Sequence, residues 1–361
     1  MKLSDVCTKG TSNIAQKDLD ARNGTYPIYG ASGFIKNVDF YHQEKPYIAI
    51  VKDGAGVGRV MQLPAKSSVI GTMQYIIPNE GVSVEYLAYA LEHMNLSKYY
   101  LGAAIPHIYF KDYCSETLPN HTPEEQAHIS HVLGLVSNLI FLRKQQLSKL
   151  DELVKSRFIE MFGTLSNNEY NFPMYALKEV CRKITDGKHG GCEQEQDSGY
   201  YYVGAREIYD GEIHYDTAPQ ITRSDFEKDY RRCNLEQGDF VLVNTGATIG
   251  KSAIAKHPLT EYTLLQKSVA MFKVKPEIIS AVFLKYCYEA NPKMYTVESA
   301  SAQPNLLLSR INSTLIYIPP IELQEQFAAF VEQTDKSKFE IQKSLEKLET
   351  LKKALMQKYF G

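Results

Sequence analysis

The feature that most constrains this chain is that it repeats itself. Leu118-Pro119 followed by Glu125-Gln126 returns as Ile318-Pro319 followed by Glu325-Gln326, 200 residues on. Farther along, Leu147-Ser148-Lys149-Leu150 returns as Leu345-Glu346-Lys347-Leu348, 198 residues on, and both stretches close on Phe-Gly at Phe162-Gly163 and Phe360-Gly361. The change of spacing implies a two-residue indel between the blocks. Fainter echoes lie upstream. Leu3-Ser4-Asp5-Val6-Cys7 resembles Leu177-Lys178-Glu179-Val180-Cys181, and the turn Gly54–Arg59 resembles Gly246–Lys251. A chain of 361 residues is long enough for two domains. The repeat orders them as domain, helix, domain, helix, with boundaries at 1–117, 118–163, 164–317 and 318–361.

The repeated segments carry heptads. Leu133, Ile140, Leu147, Val154 and Met161 recur every seven residues, with Ile129, Val136 and Leu150 between them. Ile341, Leu348 and Leu355 hold one heptad position of the second copy, and Val331 and Leu345 the other. Pro123 stands near the first helix's start, where its missing donor costs little, and Gly163 and Gly361 supply stops. Roughly forty residues of this pattern exceed an ordinary globular helix. Two such helices in one chain pair most simply as an antiparallel coiled coil. Its seam is expected at Leu133, Ile140, Leu147, Val154, Ile341, Leu345, Leu348 and Leu355. The segments between read as short strands and turns, with buried strands at 46–51 and 239–243 and amphipathic helices at 84–94 and 278–290. The expected fold class is α/β: two mixed α/β domains joined and separated by two long helices, with pseudo-two-fold internal repetition.

Composition removes several functions. No apolar stretch is long enough to cross a membrane, and the N-terminus has no apolar signal, which points to the cytoplasm. Six scattered cysteines without a Cys-x-x-Cys signal neither a zinc ribbon nor a disulfide framework. The net charge is −2, so a nucleic-acid partner must be met by local patches rather than by a global field.

Motifs that suggest catalysis fail on spacing. Gly246-Ala247-Thr248-Ile249-Gly250-Lys251-Ser252 places three residues, not four, before its Gly-Lys, and the helix a phosphate loop needs is cut off by Pro258. Gly54-Ala55-Gly56-Val57-Gly58 has the wrong glycine spacing for a dinucleotide turn. Both read better as hairpin turns. Ile318-Pro319-Pro320-Ile321 lacks the polar first and aromatic last residue of an amino-methyltransferase motif. His128 and His131 lack a third ligand, so no metal and no cofactor are expected. Two alternatives remain: a nucleotide-binding enzyme built on 246–252, and a coiled-coil scaffold or orphan remnant without DNA specificity.

The arrangement as a whole resembles the specificity (S) subunit of a type I restriction–modification system. The resemblance is carried by Ile318-Pro319-Pro320-Ile321-Glu322-Leu323-Gln324-Glu325-Gln326 and by Ala302-Gln303-Pro304-Asn305-Leu306. The first copy departs from it with Ile105-Pro106-His107 and Leu118-Pro119-Asn120. The resemblance implies a non-catalytic subunit whose two target-recognition domains each read half of a split site in double-stranded DNA. It also implies docking of methyltransferase (M) subunits, two copies, and through the complex of restriction/translocase (R) subunits. A forty-residue helix spans on the order of 60 Å, enough for half-sites more than one duplex turn apart.

Residues bearing forked or bidentate donors on expected turns are the candidate DNA contacts. In the first domain they are Lys36, Lys52, Arg59, Gln74 and His107. In the second they are Lys188, His189, Arg206, Thr248, Lys251, Gln266, Lys267 and Arg310. Gln303 and Asn305 have a competing reading as structural turn residues.

Overall fold

The computed structural model describes residues 1–101, 106–296 and 304–361, and divides into two compact units. The first comprises Met1–Gln146 with Ile341–Gly361, the second Leu147–Glu340.

The first unit opens with the short helix α1 (Leu3–Val6) and strand β1 (Cys7–Thr11). It continues through β2 (Tyr26–Gly30), β3 (Gly33–Val38), β4 (Tyr47–Val51), β5 (Val60–Leu63), β6 (Ser68–Val69) and β7 (Met73–Pro78). Helices α2 (Val84–Met94) and α3 (Phe110–Tyr113) follow, then α4 (Pro123–Phe162), whose residues from Leu147 on belong to the second unit. One antiparallel sheet has the order β1-β7-β4-β5, and a smaller one the order β3-β2-β6, with β6 parallel to β2. Strand β4 is a continuous apolar run because both faces of its sheet are covered. Ile48 and Ile50 pack toward α2, whereas Tyr47, Ala49 and Val51 pack toward the core that Ile28 and Val38 share.

The second unit repeats this plan. It contains β8 (Met174–Ala176), α5 (Leu177–Val180), β9 (Cys181–Asp186), β10 (Tyr201–Val203), β11 (Ile208–Tyr209) and β12 (Glu212–Ile213). Helix α6 (Arg223–Cys233), β13 (Phe240–Val243), β14 (Ser252–Ile254), β15 (Thr263–Leu265) and β16 (Val269–Val274) come next. Helices α7 (Ala281–Ala290) and α8 (Leu308–Ser313), strand β17 (Leu315–Tyr317) and helix α9 (Ile321–Phe360) complete the chain, the residues of α9 from Ile341 on belonging to the first unit. The main sheet has the order β14-β13-β16-β9, and β10 pairs in parallel with β15. Phe240 and Leu242 face one core while Val241 and Val243 face the other, as in β4. The tempting glycine turns are indeed hairpin connections, between β4 and β5 and between β13 and β14.

Hydrogen bonds correct the register of the repeat. Gln126 Oε1 accepts the backbone N–H of Ser83, and Gln126 Nε2 donates to the His121 carbonyl five residues back. Gln324 does the same with the Ser280 N–H and the Pro319 carbonyl. The matched residues are therefore 198 apart here too, and no two-residue insertion exists. The apparent match of Glu125-Gln126 with Glu325-Gln326 is coincidental. Glu125 instead forms a capping box with Thr122 at the start of α4, its carboxylate accepting from the Thr122 N–H while its own N–H donates to Thr122 Oγ1. The same correction runs upstream: the Leu3 N–H donates to the Glu116 carbonyl as the Leu177 N–H donates to that of Thr314.

Within each unit the long helices run antiparallel. In the first, Ile129 and Leu133 of α4 share a core with Met356 and Phe360 of α9, while Lys144 Nζ lies 3.0 Å from Glu349 Oε1. In the second, the Phe158 ring sits 5.4 Å from that of Phe327, and Lys338 pairs with Asp151. The expected seam residues divide by burial. Leu133 and Val154 are fully buried and drawn into the domain cores, and Leu345 is buried. Ile140, Leu147, Ile341, Leu348 and Leu355 are half-buried. No helix among the described residues is long and apolar enough to cross a membrane.

Candidate nucleic-acid interface

In the first unit the backbone joins the Gly54–Gly58 turn to the segment around Pro106. The Gly54 N–H donates to the Pro106 carbonyl, and the Ile108 N–H donates to that of Lys52. Glycine is required at Gly58, where φ is +85° and a Cβ would lie 2.5 Å from the Ser97 amide nitrogen. The turn presents Lys52, Arg59 and His107, all already engaged. His107 Nδ1 is hydrogen-bonded to Asp53 Oδ1, and its ring lies 4.1 Å from that of Tyr109. Lys52 Nζ stands 3.9 Å from Asp53 Oδ2. Arg59 is exposed, with Nη1 donating to the Ala31 carbonyl at 2.9 Å, so it ties this turn to the β2–β3 hairpin.

Three candidates do not lie on turns. Lys36 is a residue of β3 whose Nζ donates to the Leu19 carbonyl and to Asn23 Oδ1, an internal clamp. Gln74 is inside β7, only 3% exposed, so it is a core residue and cannot meet DNA in this fold. Arg310 lies on α8 and donates from Nη2 to the Thr296 carbonyl. Strand β7 is an interior strand in which Met73, Gln74, Tyr75 and Ile76 are all buried, so neither of its faces is open at Gln74.

The second unit gathers its candidates onto one edge. The Lys188 N–H donates to the Leu265 carbonyl, the Lys267 N–H to that of Lys188, and the Gln266 N–H to that of Val203. The loop after β9, the turn after β10 and the β15–β16 turn thus adjoin. The Asn244 N–H donates to the Ser268 carbonyl, bringing in the hairpin that carries Thr248 and Lys251. Thr245 Oγ1 and Asn305 Oδ1 lie 3.1 Å apart, where the first unit has Asp53 and His107. Asn305 is thereby a structural partner as well as a candidate. Gln303, Ala302 and Ile105 lie outside the described residues.

Side-chain chemistry then separates these residues. Lys188 Nζ is 2.8 Å from Asp229 Oδ2 and 3.8 Å from Asp225 Oδ1, and the bond to Asp229 raises its pKa. His189 Nε2 is 3.1 Å from Asp186 Oδ2. Asp186 also binds Arg232, a residue of the unanticipated helix α6, which further donates to the Gly187 carbonyl. Sequence offered one signal for α6: Thr222 caps it by accepting from the Asp225 N–H. Arg206, Lys251 and Lys267 are exposed, and no described residue pairs with their charges. His128 and His131 are exposed on α4, and no cluster of metal-ligating residues occurs among the described residues.

A second surface lies on α4. Leu135, Leu139 and Leu142 follow helical spacing and are 54%, 44% and 43% exposed, with Phe141 beside them. They fall between the heptad positions, so a pattern search for the seam passes over them.

The duplicated fold carries a basic turn edge in each copy and a long helix after each. Comparison with known proteins agrees. The family model of the type I restriction modification DNA specificity domain matches residues 1–152 and again 169–353. The chain belongs to that family, whose members are non-catalytic specificity subunits of type I restriction–modification systems. It is 24% identical over 303 residues to the type I restriction enzyme MjaIX specificity subunit of Methanocaldococcus jannaschii, covering 78% of this chain and 69% of that one. The crystal structure of the type I restriction–modification S subunit from M. genitalium has a TM-score of 0.63 at 15% identity, covering 100% of this chain and 95% of that one. A chain from a study of complex assembly and conformational transition of the type I R-M system has a TM-score of 0.55 at 14% identity, covering 99% and 96%.

Proposed function

We propose that this chain reads a bipartite site in double-stranded DNA, one half through each recognition domain, for a type I restriction–modification complex in the cytoplasm. The observation that carries the reading is the repeated edge. The same backbone frame, Gly54 on Pro106 and Gly246 on Pro304, presents different side chains in the two units, as expected when one scaffold reads two different sequences. Contacts are assigned to Lys52, Arg59 and His107 in the first domain. In the second they are assigned to Lys188, His189, Arg206, Thr248, Lys251, Gln266 and Lys267.

Two methyltransferase subunits dock on the long helices, and the restriction/translocase subunits join through them. Support comes from the exposed row Leu135, Leu139, Leu142, since a run of exposed leucines on a soluble helix marks a partner surface. Methylation mapping of genomic DNA from cells with and without this chain tests the reading. One split motif is lost with the chain. Exchange of residues 1–117 for those of a relative alters one half of that motif only. Loss of no motif refutes the assignment.

A further inference from the structure

The corrected repeat register matches the two reading edges residue by residue. The Ile70 N–H donates to the Tyr29 carbonyl as the Gln266 N–H donates to that of Val203. The Gly71 N–H donates to the Ile14 carbonyl as the Lys267 N–H donates to that of Lys188. Ile70 therefore corresponds to Gln266, Gly71 to Lys267, Ile14 to Lys188, Gly30 to Gly204 and Ser32 to Arg206. At every one of these positions except the glycine pair, an uncharged residue in the first domain faces a longer polar or charged one in the second.

Gly204 has a particular part. A Cβ built on it would lie 2.4 Å from Gln266 Oε1 and 2.6 Å from Cδ, so the glycine leaves the space in which the Gln266 amide rests. At Gly30 the same space is filled by apolar carbons of Ile35 and Ile70. The acids beside the second edge are occupied: Asp225 and Asp229 by Lys188, and Asp186 by Arg232 and His189. Arg206, two residues beyond Gly204, and Lys267, next to Gln266, have no ion-pair partner among the described residues, and the neighbouring Glu207 carboxylate is engaged by the Gly204 N–H. In the first domain Lys52 faces Asp53, and Arg59 spends a donor on Ala31.

We infer that the ridge Arg206–Gln266–Lys267 is the main anchor on DNA, so that the two domains contribute unequally. Arg206 and Lys267 supply most of the salt-dependent affinity, and Gln266, held by Gly204, reads a base. The inference rests on the DNA-reading function proposed above. A glutamine amide can pair bidentately with adenine, and each phosphate neutralised by a cation adds about 0.9 to the slope of log K against log salt.

The test is anisotropy of the full chain with a fluorescein-labelled 40-bp duplex of mixed sequence across a salt series, joined to methylation mapping. R206A/K267A is expected to lower the slope by about two, and K52A/R59A by less than one. S32R in the first domain is expected to raise it by about one, a gain that misfolding cannot mimic. In cells, Q266A and G204A both relax the same half of the motif, and G204A leaves the salt slope unchanged. Equal slope losses in the two domains, or an unchanged slope in R206A/K267A, overturn the unequal anchoring. Relaxation of the other half, or of neither half, overturns the role of Gln266. Absence of binding by the unaltered chain at 50 mM salt, together with an unchanged methylome on its deletion, overturns the DNA reading itself.

Discussion

Gln126 and Gln324, 198 residues apart, make the same two bonds: each accepts the N–H of a helix-capping serine, Ser83 of α2 or Ser280 of α7, and donates to the carbonyl five residues back. Both are buried, at 4% and 0% exposure, and each pins the start of a long helix to its own domain. Gln324 Nε2 also reaches the Ile278 carbonyl.

Replacing Gln324 by Ala should therefore cost the second unit about 1–3 kcal/mol, because buried backbone groups are left unpaired. Hydrogen exchange at the Ser280 amide should accelerate in that variant while the Ser83 amide is unchanged. Equal acceleration at both would show that the two units do not open separately.

The pairs Asp53–His107 and Thr245–Asn305 occupy equivalent places, which makes a substitution test direct. D53A should destabilise the first unit and broaden the recognised sequence of one half-site. The double variant D53T/H107N, which copies the second unit's pair, should restore the melting temperature toward the original. Failure of the double variant to exceed either single variant would refute the equivalence.

Antiparallel pairing within each unit predicts two zero-length cross-links. Carbodiimide treatment should join Lys144 to Glu349 and Lys338 to Asp151, each found by mass spectrometry as a peptide pair within one chain. K144M should remove the first product and leave the second. Products joining only separate chains would exclude intramolecular pairing.

The helices are also expected to set the spacing of the half-sites. One heptad inserted after Ser148, with a matching heptad after Gln342, lengthens the pair by about 10 Å. At roughly 3.4 Å per base pair, the unread spacer should grow by about three pairs while both half-site sequences stay the same. An active variant with the original spacer would show that the helices are not the ruler.

Burial raises the thiols of Cys7, Cys181 and Cys287 to about 12 and that of Cys233 to about 11. A thiol reagent acts on the thiolate, so at pH 8 a group with a pKa of 11 is ionised to about one part in a thousand. In the folded chain the reagent should reach only the half-buried Cys114 and Cys192, with Cys192 slowed because burial raises its thiol too, and the other four cysteines should react after denaturation.

Periodicity and local backbone chemistry were sufficient to read the two long helices, the hairpin nature of both glycine turns and the duplicated plan. A heptad, a Thr-x-x-Glu cap or a Gly-rich turn acts within a few residues, so its physics is written locally. The repeat register was misread where Glu125-Gln126 and Glu325-Gln326 matched as letters, because only the hydrogen bonds of Gln126 and Gln324 identify the true counterparts. The reading edge was legible only as a set of residue types. Whether Lys188 is neutralised by Asp229, Gln74 buried in the core, or Arg206 left without an ion-pair partner among the described residues depends on groups tens of residues away in sequence. The sequence determined by itself that there are two like domains and two long helices; the tertiary structure alone decided which charges remain available, because an ion pair depends on distance in space and not along the chain.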